Sequence, residues 1–269
     1  MTLKSKQIDI REGKVSYFDE GQGTPIVFIH GFPFTKAMWA KQVETLKDKY
    51  RCIAYDVRGH GDTTGTLHEF SISQFADDLI DFMDVLKIDK VILCGLSMGG
   101  YIALHAARKA PDRFLALALC DTQCKADTEE ARDKRMRTIA FIQQNGLSKY
   151  ADESVKSLFA PASLETKKPE VDFIRNTILN SSADNICRTL IALANRKDTC
   201  SVLSSLKIPV LILVGTEDKV TPLAAAQFMH EQLPSSELQT IAAAGHISNL
   251  ENPEEFMLQL ESFLERTVE

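Results

Sequence analysis

Residues 91–101 read VILCGLSMGGY. The first four residues are wholly apolar, as in a strand that is buried on both faces of a parallel sheet. From Tyr101 onward apolar residues recur at helical spacing, and Pro111 marks the end of that pattern. Glycine stands two residues before and two residues after Ser97, where it allows a strand to turn sharply into a helix. The pattern therefore predicts a candidate nucleophile whose hydroxyl lies at the N-terminus of a helix.

Short apolar runs and helix-length segments alternate along the rest of the chain. Such alternation predicts an α/β fold with a mostly parallel central sheet flanked by helices. The first two segments, 6–11 and 14–18, instead alternate between polar and apolar residues, which favours a half-buried hairpin. A helix is expected over 73–86, with Ser73 as its cap. Buried strands are predicted at 26–29, 52–55, 91–94, 114–120 and 210–214.

One stretch, residues 125–205, breaks this alternation. It carries helical patterns interrupted by Pro161 and Pro169, and it contains no convincing strand pattern. An unstructured loop of that length is uncommon inside a compact domain. We therefore predict a core made of residues 1–124 and 206–269, with an inserted helical cap at 125–205.

The composition excludes several classes of protein. The chain has 269 residues, of which 44% are hydrophobic and 25% charged, as in ordinary globular proteins. Its formal net charge of -6 lacks the basic surplus that nucleic-acid binding usually needs. No apolar run approaches the ~20 residues of a membrane helix, and the first residues lack a secretory signal. The predicted partners therefore include neither nucleic acid nor a membrane.

The six cysteines have no metal-binding arrangement in the sequence. Cys120 and Cys124 lie four residues apart, but no second Cys or His pair follows at the spacing of a zinc site. We expect no metal, and we expect the cysteines to be free thiols. Free thiols and the lack of an export signal together predict a cytoplasmic protein.

Polar motifs follow three other predicted strands, at 26–29, 210–214 and 238–241. Because the carboxyl ends of parallel strands share one edge of the sheet, these motifs are expected to meet Ser97 there. A serine nucleophile needs a base, and the base needs an orienting carboxylate. The motifs are HGFP at 30–33, GTEDKVTP at 215–222, and AGH at 244–246, which is followed by NPEEF at 252–256.

In this order the motifs resemble those of the α/β-hydrolase family, and the resemblance spans residues 24–122 and 209–266. In that family the acid follows the nucleophile along the chain, and the histidine comes last. The resemblance implies a catalytic triad of Ser97, Asp218 and His246. It also implies that no cofactor is needed, because the serine itself forms the covalent intermediate.

The resemblance further implies an oxyanion hole made of two backbone N–H groups, those of Phe32 and Met98. Asp121, at the end of a predicted strand, is an alternative acid, because some hydrolases of this fold place their carboxylate there. His60 belongs to the segment DVRGHG at 56–61, which also matches a family pattern. We expect His60 to stabilise a turn rather than to act as the base.

The layout is similar to that of small carboxylesterases and 3-oxoadipate enol-lactonases. It predicts a serine hydrolase that cleaves a small carboxylic ester or lactone through an acyl-enzyme. A perhydrolase or acyltransferase, which passes the acyl group to another nucleophile, is an open alternative. A signalling receptor or partner-binding protein on the same scaffold is another. The expected partner is a small-molecule ester or lactone, and a homodimer is left open.

Overall fold

A computed structural model describes residues 3–65 and 70–268 of the chain. Within those residues nine strands form one sheet. The strands are β1 (Lys6–Ile10), β2 (Gly13–Glu20), β3 (Pro25–Ile29), β4 (Arg51–Tyr55), β5 (Thr64–Gly65), β6 (Val91–Leu96), β7 (Phe114–Cys120), β8 (Val210–Gly215) and β9 (Ser236–Ile241).

The strand order across the sheet is β1-β2-β4-β3-β6-β7-β8-β9, with β5 paired to β2. From β4 onward in that order every neighbouring pair is parallel, whereas the pairs that involve β2 are antiparallel. The predicted α/β architecture and the N-terminal hairpin are confirmed. The predicted buried strands lie within two residues of the observed bounds.

Helices cover both faces of the sheet. Alternate strand residues reach opposite faces: Val27 and Ile29 pack in the core that includes α2 and α3, and Ile26 and Phe28 pack in the core that includes α1 and α11. No helix among the described residues has both the length and the apolar character to cross a membrane. The helices are α1 (Ala40–Leu46), α2 (Ile72–Val85), α3 (Met98–Lys109), α4 (Glu129–Leu158), α5 (Ser163–Thr166), α6 (Lys168–Leu179), α7 (Ala183–Ala194), α8 (Cys200–Leu203), α9 (Leu223–Gln232), α10 (Ser248–Glu251) and α11 (Pro253–Val268).

The start of α2 differs from its prediction. The hydroxyl of Ser71 accepts a hydrogen bond from the backbone N–H of Gln74 at 3.0 Å, and the backbone of Ser71 is extended. Ser71 is therefore the N-cap. The predicted cap, Ser73, is wrong because this residue already lies inside the first helical turn. Both serines precede the same apolar face, so the hydrophobic pattern alone does not separate them.

The chain between β7 and β8 is helical, and it contains α4 to α8. The long helix α4 is kinked at Gly146, whose φ is 75°. It packs against α6 and α7, and buried residues of all three helices lie in the same hydrophobic cluster as one face of the sheet. We propose that residues 125–205, called the cap segment below, cover the core as a cap.

A disulfide bond joins Cys124 to Cys200, with a Cα–Cα distance of 4.8 Å. The expectation of free thiols is therefore wrong for these two residues, and the thiol argument for a cytoplasmic location falls with it. The pairing is not visible in the sequence because 76 residues separate the partners. The cytoplasmic location stays a prediction. The cysteines that are free thiols are Cys52, Cys94 and Cys120, which are buried, and Cys187, which is partly buried.

We expect the double substitution Cys124→Ser and Cys200→Ser to lower the free energy of unfolding by up to about 4 kcal/mol, because the cross-link restricts a long loop in the unfolded chain. Urea unfolding of the oxidised protein measures the change. Cys187→Ser, which removes a thiol without a bond, is the control and should unfold like wild type. Equal midpoints for the double variant and wild type would contradict the expectation.

Candidate active site

Ser97 stands at the turn between β6 and α3. Its φ of 54° and ψ of −112° lie outside the helical and extended regions, which is a strained conformation for a residue with a side chain. The turn is fixed by the backbone N–H of Ser97, which donates to the carbonyl of Cys120 on β7 at 2.9 Å. The strain places the hydroxyl above the carboxyl edge of the sheet.

Two glycines make this turn possible. A Cβ on Gly95 would lie 2.5 Å from the backbone of Gly99, and a Cβ on Gly99 would lie 2.2 Å from the carbonyl oxygen of Ile29 on the neighbouring strand. Backbone atoms of packed strands and helices cannot move far enough to accommodate a Cβ at such distances. The G-x-S-x-G spacing in the sequence is therefore a steric requirement of this turn.

His246 lies beside Ser97, in the loop that follows β9. Its Nε2 is 2.8 Å from the Ser97 hydroxyl oxygen, and its Nδ1 is 2.9 Å from a carboxylate oxygen of Asp218. With the ring proton on Nδ1, the imidazole donates to Asp218 and accepts from the serine hydroxyl. The imidazole is buried, with only 2% of the residue exposed. Bulk water therefore competes little for these hydrogen bonds.

Asp218 is held in the loop after β8. One carboxylate oxygen accepts hydrogen bonds from the backbone N–H groups of Val220 and Thr221, at 2.7 Å and 3.0 Å. The other accepts from the hydroxyl of Thr221 at 2.8 Å, in addition to His246. Burial raises the pKa of this carboxyl, but the neighbouring imidazole and the hydrogen bonds outweigh burial and leave the pKa below its ordinary value. Asp218 is therefore ionised at neutral pH.

The pKa of His246 shifts upward. Burial alone lowers the pKa of an imidazole, because it penalises the charged form. The charge of Asp218 and its hydrogen bond act in the opposite direction and prevail, with smaller contributions from Asp121 and Glu251. The environment thus favours the imidazolium that a general base becomes after it takes a proton.

Asp121, the alternative acid, has other partners. One of its oxygens accepts from the backbone N–H of Gly215 at 2.8 Å, and the other accepts from the hydroxyl and the backbone N–H of Ser248, at 2.5 Å and 3.2 Å. Burial and the charge of Asp218 raise the pKa of Asp121 to about 7. Asp121 joins the loops that carry Asp218 and His246, while Asp218 itself holds the imidazole.

The loop after β3 carries the predicted oxyanion residue Phe32. His30 fixes this loop, because its Nε2 accepts from the backbone N–H of Val57 at 3.0 Å and its Nδ1 donates to the carbonyl of Gly31 at 2.8 Å. Within the described part of the chain, neither the backbone N–H of Phe32 nor that of Met98 donates to another group of the protein. Met98 is the first residue of α3, so its N–H lies at a helix N-terminus.

His60 packs under this loop. Its ring centroid is 5.2 Å from that of His30 and 6.1 Å from that of Phe32, and the residue is buried. Burial lowers its pKa to about 4, so the ring is neutral at ordinary pH. These contacts agree with a structural role. His68, whose neighbours in the sequence predict a polar loop, lies outside the described residues.

Sequence reasoning missed three polar residues around the site. Thr221 stands three residues after Asp218, where local side chain–backbone bonding is common, so its position carried a usable signal. Ser248 and Glu251 bind groups distant in sequence, and no local pattern reveals them. Among the described residues, no three His, Cys, Asp or Glu side chains are grouped so as to hold a metal ion.

The fold and the site together define an α/β hydrolase, and residues 24–253 match the alpha/beta hydrolase fold family. The chain belongs to that family. The curated 3-oxoadipate enol-lactonase 2 of Acinetobacter baylyi is 30% identical over 249 residues, which cover 93% of this chain and 91% of that protein.

Two solved structures are closely similar in fold. A thermophilic esterase from Thermogutta terrifontis has a TM-score of 0.93 at 30% identity, with 99% of this chain and 100% of that chain covered. An enol-lactonase from Burkholderia xenovorans has a TM-score of 0.90 at 25% identity, with 97% and 100% covered. Esterases and enol-lactonases are thus relatives across nearly the full length of the chain.

Proposed function

We propose that this protein hydrolyses carboxylic esters or lactones of small acyl compounds, with Ser97, His246 and Asp218 as its catalytic triad. The observation that carries the proposal is the pair of hydrogen bonds from the buried His246 ring, 2.8 Å to the Ser97 hydroxyl and 2.9 Å to Asp218. The esterase and enol-lactonase relatives support this class of substrate.

The first half of the reaction forms an acyl-enzyme. The Ser97 oxygen attacks the carbonyl carbon while Nε2 of His246 takes the hydroxyl proton. The N–H groups of Phe32 and Met98 bind the oxyanion that develops, and one such donor typically contributes about 3–4 kcal/mol. Asp218 stabilises the imidazolium and keeps its Nδ1 proton in place.

The acyl-enzyme is complete when the bond between the acyl carbon and the alcohol oxygen breaks and the imidazolium of His246 donates its proton to that oxygen, which in a lactone stays attached to the acyl group. The second half releases the acid. A water molecule then attacks the acyl-enzyme as His246 removes its proton, and His246 returns that proton to the Ser97 oxygen as the bond between this oxygen and the acyl carbon breaks. Every proton that moves in this cycle passes through Nε2 of one imidazole.

The cap segment reaches the site through the end of α4. The backbone N–H of His246 donates to the carbonyl of Leu158 at 2.7 Å. We infer that the cap segment forms the wall opposite the sheet edge and thereby sets the size of the acyl group. The preference for a small substrate then depends on this segment, since the triad acts at the bond that is cleaved and does not bind the rest of the acyl group.

A panel of p-nitrophenyl esters of increasing acyl length, together with simple lactones, tests the proposal. We expect turnover of short-chain esters and lactones, with kcat/KM falling as the acyl chain grows. No turnover on any member of the panel would contradict the proposed function. Added hydrogen peroxide or alcohol tests the alternatives, since a perhydrolase or acyltransferase would divert the acyl group from water and change the product ratio.

The pH dependence follows from the state of His246. The attacking serine needs a neutral imidazole, and the pKa of that imidazole is raised. We therefore expect kcat/KM for an uncharged ester to be full at alkaline pH and to fall as pH drops through a pKa above the ordinary value of about 6.5. A pH–rate profile with p-nitrophenyl acetate measures this fall of kcat/KM at low pH, which is called the acid limb below.

Asp121→Asn provides a comparison, because the charge of Asp121 contributes to the raised pKa of His246. The acid limb of this variant should move to lower pH. An acid limb below 6.5 in wild type, or one that rises when Asp121 loses its charge, would contradict the assignment of the limb to His246.

A further inference from the structure

Glu251 is a buried carboxylate outside the proposed triad. Only 2% of the residue is exposed, although it lies at the end of the short helix α10, in a charged stretch of sequence. Burial raises the pKa of its carboxyl. A buried carboxylate is costly unless its oxygens are hydrogen-bonded, so its partners are informative.

The partners of Glu251 come from two different parts of the molecule. One carboxylate oxygen accepts from the backbone N–H of Gly245, directly before His246, at 2.8 Å. The other accepts from the backbone N–H of Ala160, in the cap segment, also at 2.8 Å. The side chain of Ser163, at the start of α5, adds a further hydrogen bond. One side chain therefore joins the histidine loop to the cap segment.

The same two backbone segments also touch directly. The N–H of His246 donates to the carbonyl of Leu158, 2.7 Å away. A Cβ on Gly245 would lie 2.6 Å from that carbonyl oxygen and 2.7 Å from the nitrogen of Ala160. The contact is so close that the end of α4 cannot move toward Gly245 without displacing the backbone that carries His246, and a shift away breaks the hydrogen bond from His246.

We propose that Glu251 is a positioning residue that couples the cap segment to the catalytic histidine. Through its two oxygens it holds residues 158–163 against the loop of His246, so that the imidazole reaches Ser97 only when the cap segment is docked. The inference rests on the proposed function, because it concerns what holds His246 in position within the same proposed triad. It also makes the cap segment part of the catalytic machinery as well as a wall of the pocket.

Glu251→Gln tests the coupling with little change in size. An amide has one acceptor oxygen, so it leaves either Gly245 or Ala160 without its acceptor. We expect kcat on the best ester of the panel to fall roughly 10- to 100-fold, as a displaced catalytic group does. KM should change less than kcat. Glu254→Gln is the matched control, because Glu254 is exposed at the start of α11 and forms an ion pair with Lys41 of α1.

Two measurements distinguish a role of Glu251 in positioning His246 from a general loss of folded structure. Three carboxylates, Asp218, Asp121 and Glu251, act together on the charge of His246. The acid limb of kcat/KM should therefore move to lower pH in Glu251→Gln and stay in place in Glu254→Gln. Amide hydrogen exchange across residues 158–163 should become faster in the first variant only. A Glu251→Gln protein with the kcat, the acid limb and the exchange rates of wild type would overturn the proposal.

A second variant covers the case in which Glu251→Gln does not fold. Ser163→Ala removes the hydroxyl that bonds to Glu251 from the cap segment and keeps the carboxylate itself. We expect faster amide hydrogen exchange across residues 158–163 and a lower kcat. Wild-type values for both measurements would overturn the proposal. Failure of the proposed function is separately recognisable, because wild type would then turn over no ester. In that case the Nδ1 proton signal of ¹⁵N-labelled His246 still reports whether Glu251→Gln displaces the ring.

Discussion

Replacing Ser97 by alanine is expected to lower kcat for ester hydrolysis by roughly 10⁴- to 10⁶-fold. The substitution removes only the attacking oxygen, because alanine carries the same Cβ through the strained turn at φ 54°. The variant should therefore fold as wild type does. Its residual rate would come from the oxyanion donors and from binding, which act without a nucleophile.

Steady-state kinetics with p-nitrophenyl acetate, together with a circular dichroism melt, measure the effect. Ser204→Ala is the matched control, because Ser204 is exposed in the cap segment, far from Ser97 in sequence. A fluorophosphonate probe should add its mass to wild type and to the control and leave the Ser97→Ala protein unmodified. A Ser97→Ala protein as active as wild type would remove Ser97 from the mechanism.

Replacing Asp218 by asparagine should cost roughly 10⁴-fold in kcat. The amide keeps the size of the carboxylate but offers His246 a donor, so the ring would place its proton on Nε2 and lose its basic atom toward Ser97. Thr221 still bonds to the amide oxygen, which limits any loss of structure. The large effect is expected in kcat, with the free energy of unfolding changed little.

Asp121→Asn is the matched comparison, since it makes the same chemical change in a second buried aspartate near the triad. The pKa of Asp121 is raised to about 7, so near neutral pH this carboxyl is already partly protonated, and an amide resembles that form. We expect kcat to fall less than about tenfold and the free energy of unfolding to fall by about 1–3 kcal/mol. The reverse pattern, with Asp218→Asn nearly active and Asp121→Asn inactive, would make Asp121 the acid.

Much of the fold was predictable because the strands that are buried in the structure are also wholly apolar in the sequence. Val91 to Leu96 are buried on both faces, and a wholly apolar run is typical of that environment. The turn at Ser97 was predictable for a different reason, since its two glycines are sterically required. Strand order and the shared carboxyl edge then brought His246 and Asp218 to the same place.

The features that the sequence did not predict depend on contacts between segments that are far apart in the chain. Cys124 and Cys200 pair only because the chain of the cap segment returns to its starting point, and nothing near either cysteine in sequence indicates the partner. Glu251 looks like one more charge in an acidic stretch until Ala160 is placed beside it. The preference for Asp218 over Asp121 came from the resemblance of its motif, and the contact of Asp218 with His246 adds what the motif alone could not show.

The disulfide has a consequence for how this protein diversifies. The Cα atoms of Cys124 and Cys200 are 4.8 Å apart, and Thr199 donates its backbone N–H to the carbonyl of Cys124 at 2.9 Å. The two ends of the proposed cap segment thus lie side by side, between the neighbouring strands β7 and β8, so the segment can change in length or sequence without a change in strand order. A replacement segment would have to preserve these two ends, the groups near Leu158 that meet the histidine loop, and the buried side chains of α4, α6 and α7 that pack in one hydrophobic cluster with the sheet. Under the proposed function, selectivity for acyl groups can then evolve, or be engineered, through substitutions in this segment while the residues of the proposed triad stay the same.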